Sequence, residues 1–348
     1  MSYWASIYGD SLDKYLISSM IYSSFMIATI LSNIIGGKLS DLYGRLIIIH
    51  VGLLLYTIGN VVFVFENNLN QVIFARIIQG VGAGFFIPSA LAYIAEIESK
   101  SLRAYAIFNV GLGLGLVIGP IIGALSIISI KYPFQVALIL SLVSLILAIT
   151  LISNKSYKSS IKVKAGIDKI SWKLLIYSCI TVYVGTSIAA ILGSIYSTYI
   201  GIELKYSRTI IGSIFSIMFI TYVISQVFMR FLEKTMLEKV LLFFSIACPL
   251  TLLTLFLTKN LILIVLTISI TGLILGFIVN LSMTIASMAS RECRGLGMSI
   301  FNIFMYLGMA SAPLMLSFMI NTLGMKYALL THIMFLIIIT LVMYFNRK

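Results

Sequence analysis

Eleven apolar stretches follow one another along this chain, and each is long enough to cross a lipid bilayer as a helix. A crossing takes about 20 mostly apolar residues, and a helix satisfies its own backbone polar groups in hydrocarbon. The stretches are long and unbroken instead of short and alternating, which excludes a transmembrane barrel. Their approximate bounds are 14–37, 46–65, 71–95, 102–126, 134–152, 172–200, 207–232, 237–258, 260–289, 294–322 and 325–345. The sequence therefore predicts an all-α, polytopic helical membrane protein.

Composition excludes a water-soluble domain and several classes of membrane enzyme. Hydrophobic residues make up 60% of the chain and charged residues 10%, against about 25% charged residues in soluble domains. The three cysteines, Cys179, Cys248 and Cys293, are too far apart in sequence to indicate a disulfide or a metal site. No nucleotide-binding loop of the Gly-x-x-x-x-Gly-Lys-Ser/Thr type is present. We expect neither an enzyme nor an ATP-driven pump, and no cofactor or metal.

Basic residues gather in alternate loops. The loops after the first, third, fifth, seventh and ninth stretches, with the C-terminus, hold seventeen Lys and Arg residues, and the opposite side holds six. The positive-inside rule makes the first set cytoplasmic. The prediction is a multi-pass protein of the cytoplasmic membrane, with its C-terminus inside and its N-terminus outside. The Lys-rich segment 153–171 is interpreted as a cytoplasmic linker in preference to a patch for nucleic acid or an acidic partner.

The chain contains an internal duplication. Two sets of residues return at offsets of 193 and 192: Ile107, Phe108, Asn109, Gly115 and Pro120 as Ile300, Phe301, Asn302, Gly308 and Pro313, and Gly80, Gly84 and Phe85 as Gly272, Gly276 and Phe277. Such duplication is typical of secondary transporters. It predicts two pseudo-symmetric helix bundles, residues 1–152 and 172–348. Stretch 172–200 maps onto positions below 8, so we expect about eleven transmembrane helices of a twelve-helix plan, with the first helix missing or cut short.

The loop between the first two stretches carries a specific motif. It reads Gly-Lys-Leu-Ser-Asp-Leu-Tyr-Gly-Arg over residues 37–45. The pattern Gly-x-Leu-x-Asp-x-x-Gly-Arg resembles the signature cytoplasmic loop of the major facilitator superfamily. The resemblance implies a conformational-switch loop formed by Gly37, Asp41, Gly44 and Arg45. In that family the aspartate faces the positive N-terminal end of the penultimate helix, here 294–322.

A second motif lies in the third stretch. Residues 76–82 read Arg-Ile-Ile-Gln-Gly-Val-Gly, which resembles the family pattern Arg-x-x-Gln-Gly-x-Gly. Arg76 is the sole charged residue deep inside an apolar run, and an intramembrane charge costs at least about 2.5–3.5 kcal/mol. We therefore expect Arg76 and Gln79 to face the bundle interior. The alternative is an arginine that reaches back to the outer surface.

A third motif is a ridge of glycines in the fourth stretch. Gly111, Gly115, Gly119 and Gly123 recur every fourth residue, with Pro120 between the last two. A side-chain-free ridge allows two membrane helices to approach closely. It resembles the motif ending in Gly-Pro-x-x-Gly of the antiporter branch of the same superfamily, many members of which export drugs. The resemblance implies packing between the two halves, and ordinary helix packing is the alternative.

Polar side chains at helical spacing are the candidates for a substrate site. By resemblance, helices of both halves surround a central cavity near the bilayer midplane. The candidates to line it are Asn33, Arg76, Gln79, Asn109, Tyr183, Ser187, Tyr222, Gln226, Asn280 and Asn302. Each of them can instead join two helices by a hydrogen bond. The expected partners are a small-molecule substrate and membrane lipid, with no nucleic acid, and the oligomeric state is left open.

The carrier of a coupling proton is not evident. The usual carrier is a carboxylate within the membrane, and no Asp or Glu lies deep inside an apolar run. The carrier is then on the missing helix, or is another group, or transport is uncoupled. The resemblance implies a secondary active transporter working by alternating access, an exporter that antiports its solute. The alternatives are an uptake permease for a neutral or anionic solute and a truncated membrane interaction protein. The charge of Arg76 favours neutral or anionic solutes over organic cations.

Overall fold

The computed structural model describes residues 13–66, 68–97, 102–129, 131–151, 170–228, 236–290 and 294–346, and the side chains at 13, 95–97, 102–109, 227 and 294–296 lie outside that description. Within the described residues, eleven helices are long and apolar enough to cross a membrane, and there is no strand. The all-α prediction is therefore confirmed. The opening residues that carry the expected end of a first helix lie outside the described part of the chain.

The helices follow the predicted stretches closely. Their bounds are α1 Asp13–Tyr43, α2 Arg45–Val64, α3 Leu69–Ile97, α4 Leu102–Ala124, α5 Tyr132–Leu151, α6 Trp172–Ile202, α7 Arg208–Phe228, α8 Leu237–Leu257, α9 Leu261–Ala289, α10 Arg294–Leu323 and α11 Met325–Asn346. Near its end, α6 passes through a π-helical turn at Leu192–Tyr196. A short 3-10 turn, Leu125–Ile127, follows α4.

One compact unit is formed by residues 20–162 and 207–212, which include most of α1, all of α2 to α5 and the first turn of α7. Its centre is the contact of α2 with α3 and α5. The backbones of α2 and α3 touch at two levels, since a Cβ added at Gly52 would lie 2.8 Å from the carbonyl oxygen of Gly82, and one added at Gly59 would lie 3.0 Å from that of Ala75. Small residues at such positions allow close packing of helices in lipid.

The first turn of α7 packs on α4 within this unit. The Arg208 guanidinium donates a hydrogen bond to the carbonyl oxygen of Ser126. A Cβ at Gly212 would lie 2.6 Å from the carbonyl oxygen of Pro120. The close approach to α4 is therefore made by a glycine of α7.

The other compact unit contains α6, the remainder of α7, α8 to α11, and the first turns of α1 up to Ser19. The central helix is α6, which packs against α8, α9, α10 and α11 and is the most buried of the eleven helices. The start of α1 is bound to the end of α6. The hydroxyl of Ser18 donates to the carbonyl oxygen of Ser194 at 3.0 Å and accepts from the hydroxyl of Thr198 at 3.0 Å. Lys14, 8% exposed, donates to Glu203 at 2.5 Å.

A pair of glycines brings α3 against α1 in the first unit. Gly80 and Gly84 stand four residues apart, on one face of α3. A side chain at Gly80 would strike the carbonyl oxygen of Phe25, and a Cβ at Gly84 would lie 2.8 Å from that of Thr29.

The second unit repeats this packing with α9 and α7. A side chain at Gly272 would strike the carbonyl oxygen of Met218, and a Cβ at Gly276 would lie 2.6 Å from that of Tyr222. Met218 and Tyr222 stand 193 positions after the residues of α1 that meet the first glycine pair. The duplication seen in the sequence is therefore also present in the contacts between helices.

Candidate functional site

Arg76 is the centre of a polar site inside the first unit. It is half-buried on α3, and its Nη1 donates to Oε1 of Gln79, one turn along the helix, at 3.1 Å. Its guanidinium carbon lies 5.0 Å from the centroid of the Phe63 ring, a cation–π contact that contributes about 0.5–2 kcal/mol. Its Nε is buried without a hydrogen-bond partner among the described residues. The ion pairs in that part of the chain are Lys14–Glu203 and Asp41–Arg45, so no described carboxylate pairs with Arg76.

A chain of buried polar side chains holds Gln79 in place across three helices. Gln79 Nε2 donates to Oδ1 of Asn60 on α2 at 2.8 Å, and Asn60 Nδ2 donates to Oγ of Ser141 on α5 at 3.1 Å. These three side chains are 3%, 2% and 7% exposed. All of them are neutral, so the chain orients the guanidinium without cancelling its charge.

Three aromatic residues lie near the guanidinium besides Phe134, which packs on one of them. The Phe63 ring is stacked on that of Phe134, with centroids 4.6 Å apart and an interplanar angle of 11°. Tyr22 of α1 and Tyr56 of α2 lie close enough to act electrostatically on Arg76. A fixed cation with free donors, aromatic walls and no paired carboxylate is suited to bind an anionic group on an amphiphilic molecule.

In the motif loop between α1 and α2, the arginine contacts two other side chains of the same loop. Arg45 forms an ion pair with Asp41, and its Nη1 donates to Oγ of Ser40 at 2.6 Å. Gly44 has a φ of 99°, a conformation that L side chains rarely adopt, and it separates the end of α1 from the start of α2. No described atom lies within 4 Å of a Cβ added at Gly37. The switching role of this loop stays a prediction.

The glycine ridge of α4 is open in this structure. Gly111, Gly115, Gly119 and Gly123 are all exposed, and among the described residues no atom lies within 4 Å of a Cβ added at any of them. The contact of α4 with Gly212 instead uses Pro120. The packing role of the four glycines stays a prediction.

In the second half of the chain, the counterpart of one ridge glycine is packed against a helix. Gly308 is the counterpart of Gly115, and a Cβ there would lie 2.5 Å from the carbonyl oxygen of Tyr183 on α6. In the first half, the counterpart of α6 falls on positions before 13, outside the described residues. The counterparts of Gly111 and Gly123 in α10 are Phe304 and Leu316, so the close contact of α10 with α6 corresponds to a single glycine of the α4 ridge.

Two predicted cavity residues of α6 lie in helix contacts. The Tyr183 hydroxyl is 3.0 Å from Oγ of Ser311 on α10. Ser187, fully buried, donates to the carbonyl oxygen of Tyr183 in its own helix at 2.6 Å. Both side chains lie at the contact between α6 and α10. The sequence left this role in helix packing open as the alternative to a place in the cavity.

The remaining candidates are placed on several helices. Asn33 is half-buried on α1, Tyr222 half-buried and Gln226 exposed on α7, Asn280 half-buried on α9 and Asn302 half-buried on α10, and the side chain of Asn109 lies outside the described residues. Asn280 Nδ2 donates to the carbonyl oxygen of Gly276 in its own helix at 2.8 Å. Of the ten candidates, the structure joins Arg76 and Gln79 directly.

Sequence reasoning missed three residues of this region. Asn60 and Ser141 complete the polar chain, and the available signal was an amide inside the apolar run of α2, since such a group needs a partner in lipid. Glu66, between α2 and α3, is 7% exposed. No sequence signal indicated its burial, because it stands outside every apolar run.

Comparison with known proteins gives a family match over nearly the whole chain. The model of the Major Facilitator Superfamily matches residues 2–186 and 175–348. Quinolone resistance protein NorA of Staphylococcus aureus is 27% identical over 237 residues, which are 64% of this chain and 61% of that protein. Multidrug resistance protein 3 of Bacillus subtilis is 34% identical over 124 residues, 35% of this chain and 24% of that protein. The matched region thus spans about three fifths of the first relative and about a quarter of the second.

Solved structures of transporters share the fold. The nucleoside transporter NupG superimposes with a TM-score of 0.76 at 14% identity, covering 99% of this chain and 93% of that one. A D-xylose–proton symporter superimposes with a TM-score of 0.77 at 14% identity, covering 99% and 90%. At these identities the likeness concerns the arrangement of helices.

Proposed function

The chain belongs to the major facilitator superfamily, and from that premise we propose that it exports small amphiphilic solutes that carry an anionic group, in exchange for protons. It is a multi-pass membrane transporter of this family. The proposal adds to this assignment the class of solute and the direction of transport.

The observation that carries the proposal is the uncompensated charge of Arg76. The guanidinium is held by Gln79 and by the Phe63 ring. Among the described residues, its Nε is buried without a hydrogen-bond partner and no carboxylate pairs with it. A buried charge without a counter-charge is costly. An anionic group on the solute would supply that counter-charge, and the surrounding rings would contact an apolar or aromatic body.

The direction is supported by the names of two relatives. A quinolone resistance protein and a multidrug resistance protein are similar to this chain, and resistance by a transporter means removal of the compound from the cell. An uptake permease for an anionic solute would use the same arginine, so direction has to be measured separately.

The test uses the full chain in proteoliposomes with a fluorescent quinolone, an aromatic compound with a carboxylate. We expect a pH gradient to drive quinolone against the direction of proton flow. Arg76→Ala should slow this transport about tenfold or more, because a hydrogen bond to a charged group contributes about 1.5–3 kcal/mol and 1.4 kcal/mol is a factor of ten. Arg76→Lys should retain part of the activity, and Lys326→Ala, which removes an exposed charge at the start of α11, should retain all of it.

Ethidium, a cation without an acidic group, is the comparison solute. Transport of ethidium that is faster than that of quinolone and is unchanged in Arg76→Ala would contradict the anion site. Quinolone movement in the same direction as protons would replace export by uptake. Absence of any protein-dependent movement of either compound would favour the non-transporting alternative.

A further inference from the structure

Helix α5 is a mostly exposed helix of the first unit, and one of its faces contacts α2. Phe134 and Ser141 stand seven residues apart on that face, close to two helical turns. The Phe134 ring is stacked on Phe63, and Oγ of Ser141 accepts a hydrogen bond from Asn60. The Phe63 ring in turn contacts the Arg76 guanidinium. Helix α5 therefore reaches the anion site, although it carries none of the candidate cavity residues.

The hydrogen bonds between Arg76 and α5 all run in one direction. Nη1 of Arg76 donates to Gln79, and Nε2 of Gln79 donates to Asn60. Nδ2 of Asn60 donates to Ser141, which donates its single hydroxyl proton to the carbonyl oxygen of Leu138 at 2.9 Å. A guanidinium can only donate and a carbonyl oxygen can only accept. The observed order is therefore the one that satisfies both ends of the chain.

The hydroxyl of Ser141 connects the two amides to the accepting end. An amide side chain has a donor end and an acceptor end. Because the hydroxyl proton of Ser141 is given to the backbone, its oxygen faces the NH2 group of Asn60. The carbonyl of Asn60 then faces Gln79, and the carbonyl of Gln79 faces Arg76. Without this hydroxyl both amides are free to turn over, and the NH2 group of Gln79 would then face a guanidinium that needs an acceptor.

The aromatic contact holds the guanidinium at a second point. The Phe63 ring is 1% exposed and is stacked on the Phe134 ring, with centroids 4.6 Å apart. The guanidinium carbon of Arg76 lies 5.0 Å from the centroid of the same Phe63 ring. Side chains in a packed interior have little room to shift. The Phe134 ring therefore limits the positions that the Phe63 ring and the guanidinium can take.

We infer that α5 positions the guanidinium for the solute: Ser141 sets its orientation through the two amides, and Phe134 sets its location through the Phe63 ring. The inference rests on the proposed transport of anionic solutes. Ser141 and Phe134 are positioning residues, because each acts through another side chain. A guanidinium held at two points keeps its remaining N–H groups in a fixed direction, which a carboxylate needs for two parallel hydrogen bonds. Loss of either contact should therefore weaken the binding of anionic solutes.

The first experiment measures quinolone transport by the full chain in proteoliposomes. Ser141→Ala should raise KM about threefold to tenfold, because a hydrogen bond that fixes the amides is lost, and should keep the maximal rate within about twofold. Ser141→Thr, which retains the hydroxyl, should resemble the wild type. Ser144→Ala is the matched control, since Ser144 is an exposed serine of α5 whose hydroxyl donates within its own helix.

A double-mutant cycle shows whether Ser141 acts through the guanidinium. The cycle repeats Ser141→Ala in an Arg76→Lys background, where the charge remains but the planar fork is gone. There is then no fork to orient, so KM should rise by less than about twofold. An equal rise in both backgrounds, or an equal rise in Ser144→Ala, would overturn the inference, since the hydroxyl would then act on helix packing alone.

The aromatic contact has its own pair of variants. Phe134→Leu keeps an apolar side chain but removes the stacked ring, and KM for quinolone should rise about twofold to fivefold, since an aromatic pair contributes modestly beyond its buried area. Tyr132→Leu is the control, because Tyr132 is an exposed aromatic residue at the start of the same helix. A wild-type KM in Phe134→Leu would overturn the role of the stack.

The last experiment observes the guanidinium without any solute. In nuclear magnetic resonance spectra of the purified full chain with 15N-labelled arginine, the signals that Arg76→Lys removes belong to Arg76. A guanidinium held at Nη1 turns slowly about its Nε–Cζ bond, so we expect separate Nη signals in the wild type and in Ser144→Ala, and merged signals in Ser141→Ala. Merged signals in the wild type, or separate signals that persist in Ser141→Ala, would contradict the positioning role. If the wild type transports no quinolone, the proposed function fails, and these spectra still decide whether Ser141 orients Arg76.

Discussion

At the scale of single residues, Arg76 and Glu66 are notable because neither forms an ion pair among the described residues. Arg76 lies within α3 and is oriented by neutral partners, so its charge stays available. Glu66 lies beyond the end of α2, and its Oε2 is buried without a hydrogen-bond partner in the described part of the chain. Phe63 stands three residues before Glu66 and lies under the Arg76 guanidinium.

Asn60→Asp tests whether the neutrality of the polar chain matters. Asn60 contacts Gln79, and Gln79 contacts Arg76, so a carboxylate at this position would partly compensate the guanidinium. We expect quinolone transport to fall and ethidium transport to rise, with their ratio shifting about tenfold, because like charge in a low-dielectric site is costly. Transport assays with both solutes provide the measurement.

Gln71→Glu is the matched control for that substitution. It adds the same charge on the same helix but at an exposed position near the start of α3. An equal change of the ratio in both variants would indicate a general effect of added charge, and the polar chain would then have no special role.

Glu66 also makes a prediction about stability and pH. Its folded pKa of about 7 is higher than the ordinary value of 4.5, so the folded protein binds this proton more tightly than the unfolded chain does. The contribution is then fully present below pH 4.5 and is lost as pH rises through about 7. Thermal unfolding in detergent should show wild-type stability declining across this window, and Glu66→Gln should decline less. Parallel curves for the two proteins would argue against a raised pKa.

At the scale of helices, the sequence predicted the elements well and the contacts between them only in part. All eleven apolar stretches are helices, because length and hydrophobicity alone decide which segments cross a membrane. Gly80 and Gly84 allow α3 to pack closely on α1. By contrast, no described atom lies within 4 Å of a Cβ added at Gly115 or at the other glycines of the α4 ridge. A one-dimensional pattern shows that a face is smooth, and it does not show which helix covers that face.

The polar site shows the same limit. Gln79 and Arg76 were found from spacing along one helix, whereas Asn60 and Ser141 joined them from two other helices. Glu66 could not be found from the sequence, since its burial depends on how the turn between α2 and α3 folds back on its surroundings. Charge within an apolar run is visible in a sequence, and burial of a turn is not.

The contrast between the two sets of glycines is testable with alanine. A Cβ at Gly84 would lie 2.8 Å from the Asn33 nitrogen and from the Thr29 carbonyl oxygen, whereas nothing described lies within 4 Å of one at Gly115. Gly84→Ala should lower the free energy of unfolding by about 1–3 kcal/mol, the usual cost of overpacking. Gly115→Ala should leave it unchanged. Melting temperatures in one detergent suffice, and equal losses would mean that the α1–α3 contact is not tight.

Transport gives a separate readout for the ridge. Because Gly119 is open here, Gly119→Leu should insert and melt like the wild type. Loss of transport, or an ion leak, in a protein that melts normally would then come from a conformation in which the ridge is covered. A variant that transports normally without a leak would leave the ridge as ordinary surface.

At the scale of the whole molecule, α1 and α7 are counterparts in the duplication, and each divides its length between the two compact units. The first turns of α1 belong with α6, and the first turn of α7 belongs with α4. In both helices, the part that belongs to the other unit is the N-terminal part. Each compact unit therefore includes the start of a helix whose remainder belongs to the other unit.

A disulfide at the start of α1 should arrest the transport cycle. The hydroxyls of Ser18 and Thr198 are 3.0 Å apart, which suits a cysteine pair. In a protein carrying Ser18→Cys and Thr198→Cys, oxidation should stop solute exchange, and reduction should restore it, if this end has to open during alternating access. The single substitutions are the controls. Exchange at the wild-type rate by the fully crosslinked protein would show that the contact persists throughout the cycle.

The contact between the start of α1 and α6 can form only late in synthesis. Ser18 and Thr198 are separated by 180 positions, and a ribosome adding about 5–20 residues per second needs roughly 9–36 s to synthesise what lies between them. During that interval Lys14 is in or near the translocon without Glu203. Since α6 is itself held by α9 and α10, crosslinking of the cysteine pair in arrested nascent chains should become efficient only after those two helices have been inserted. The first turns of α1 would thus reach their native place only late in synthesis.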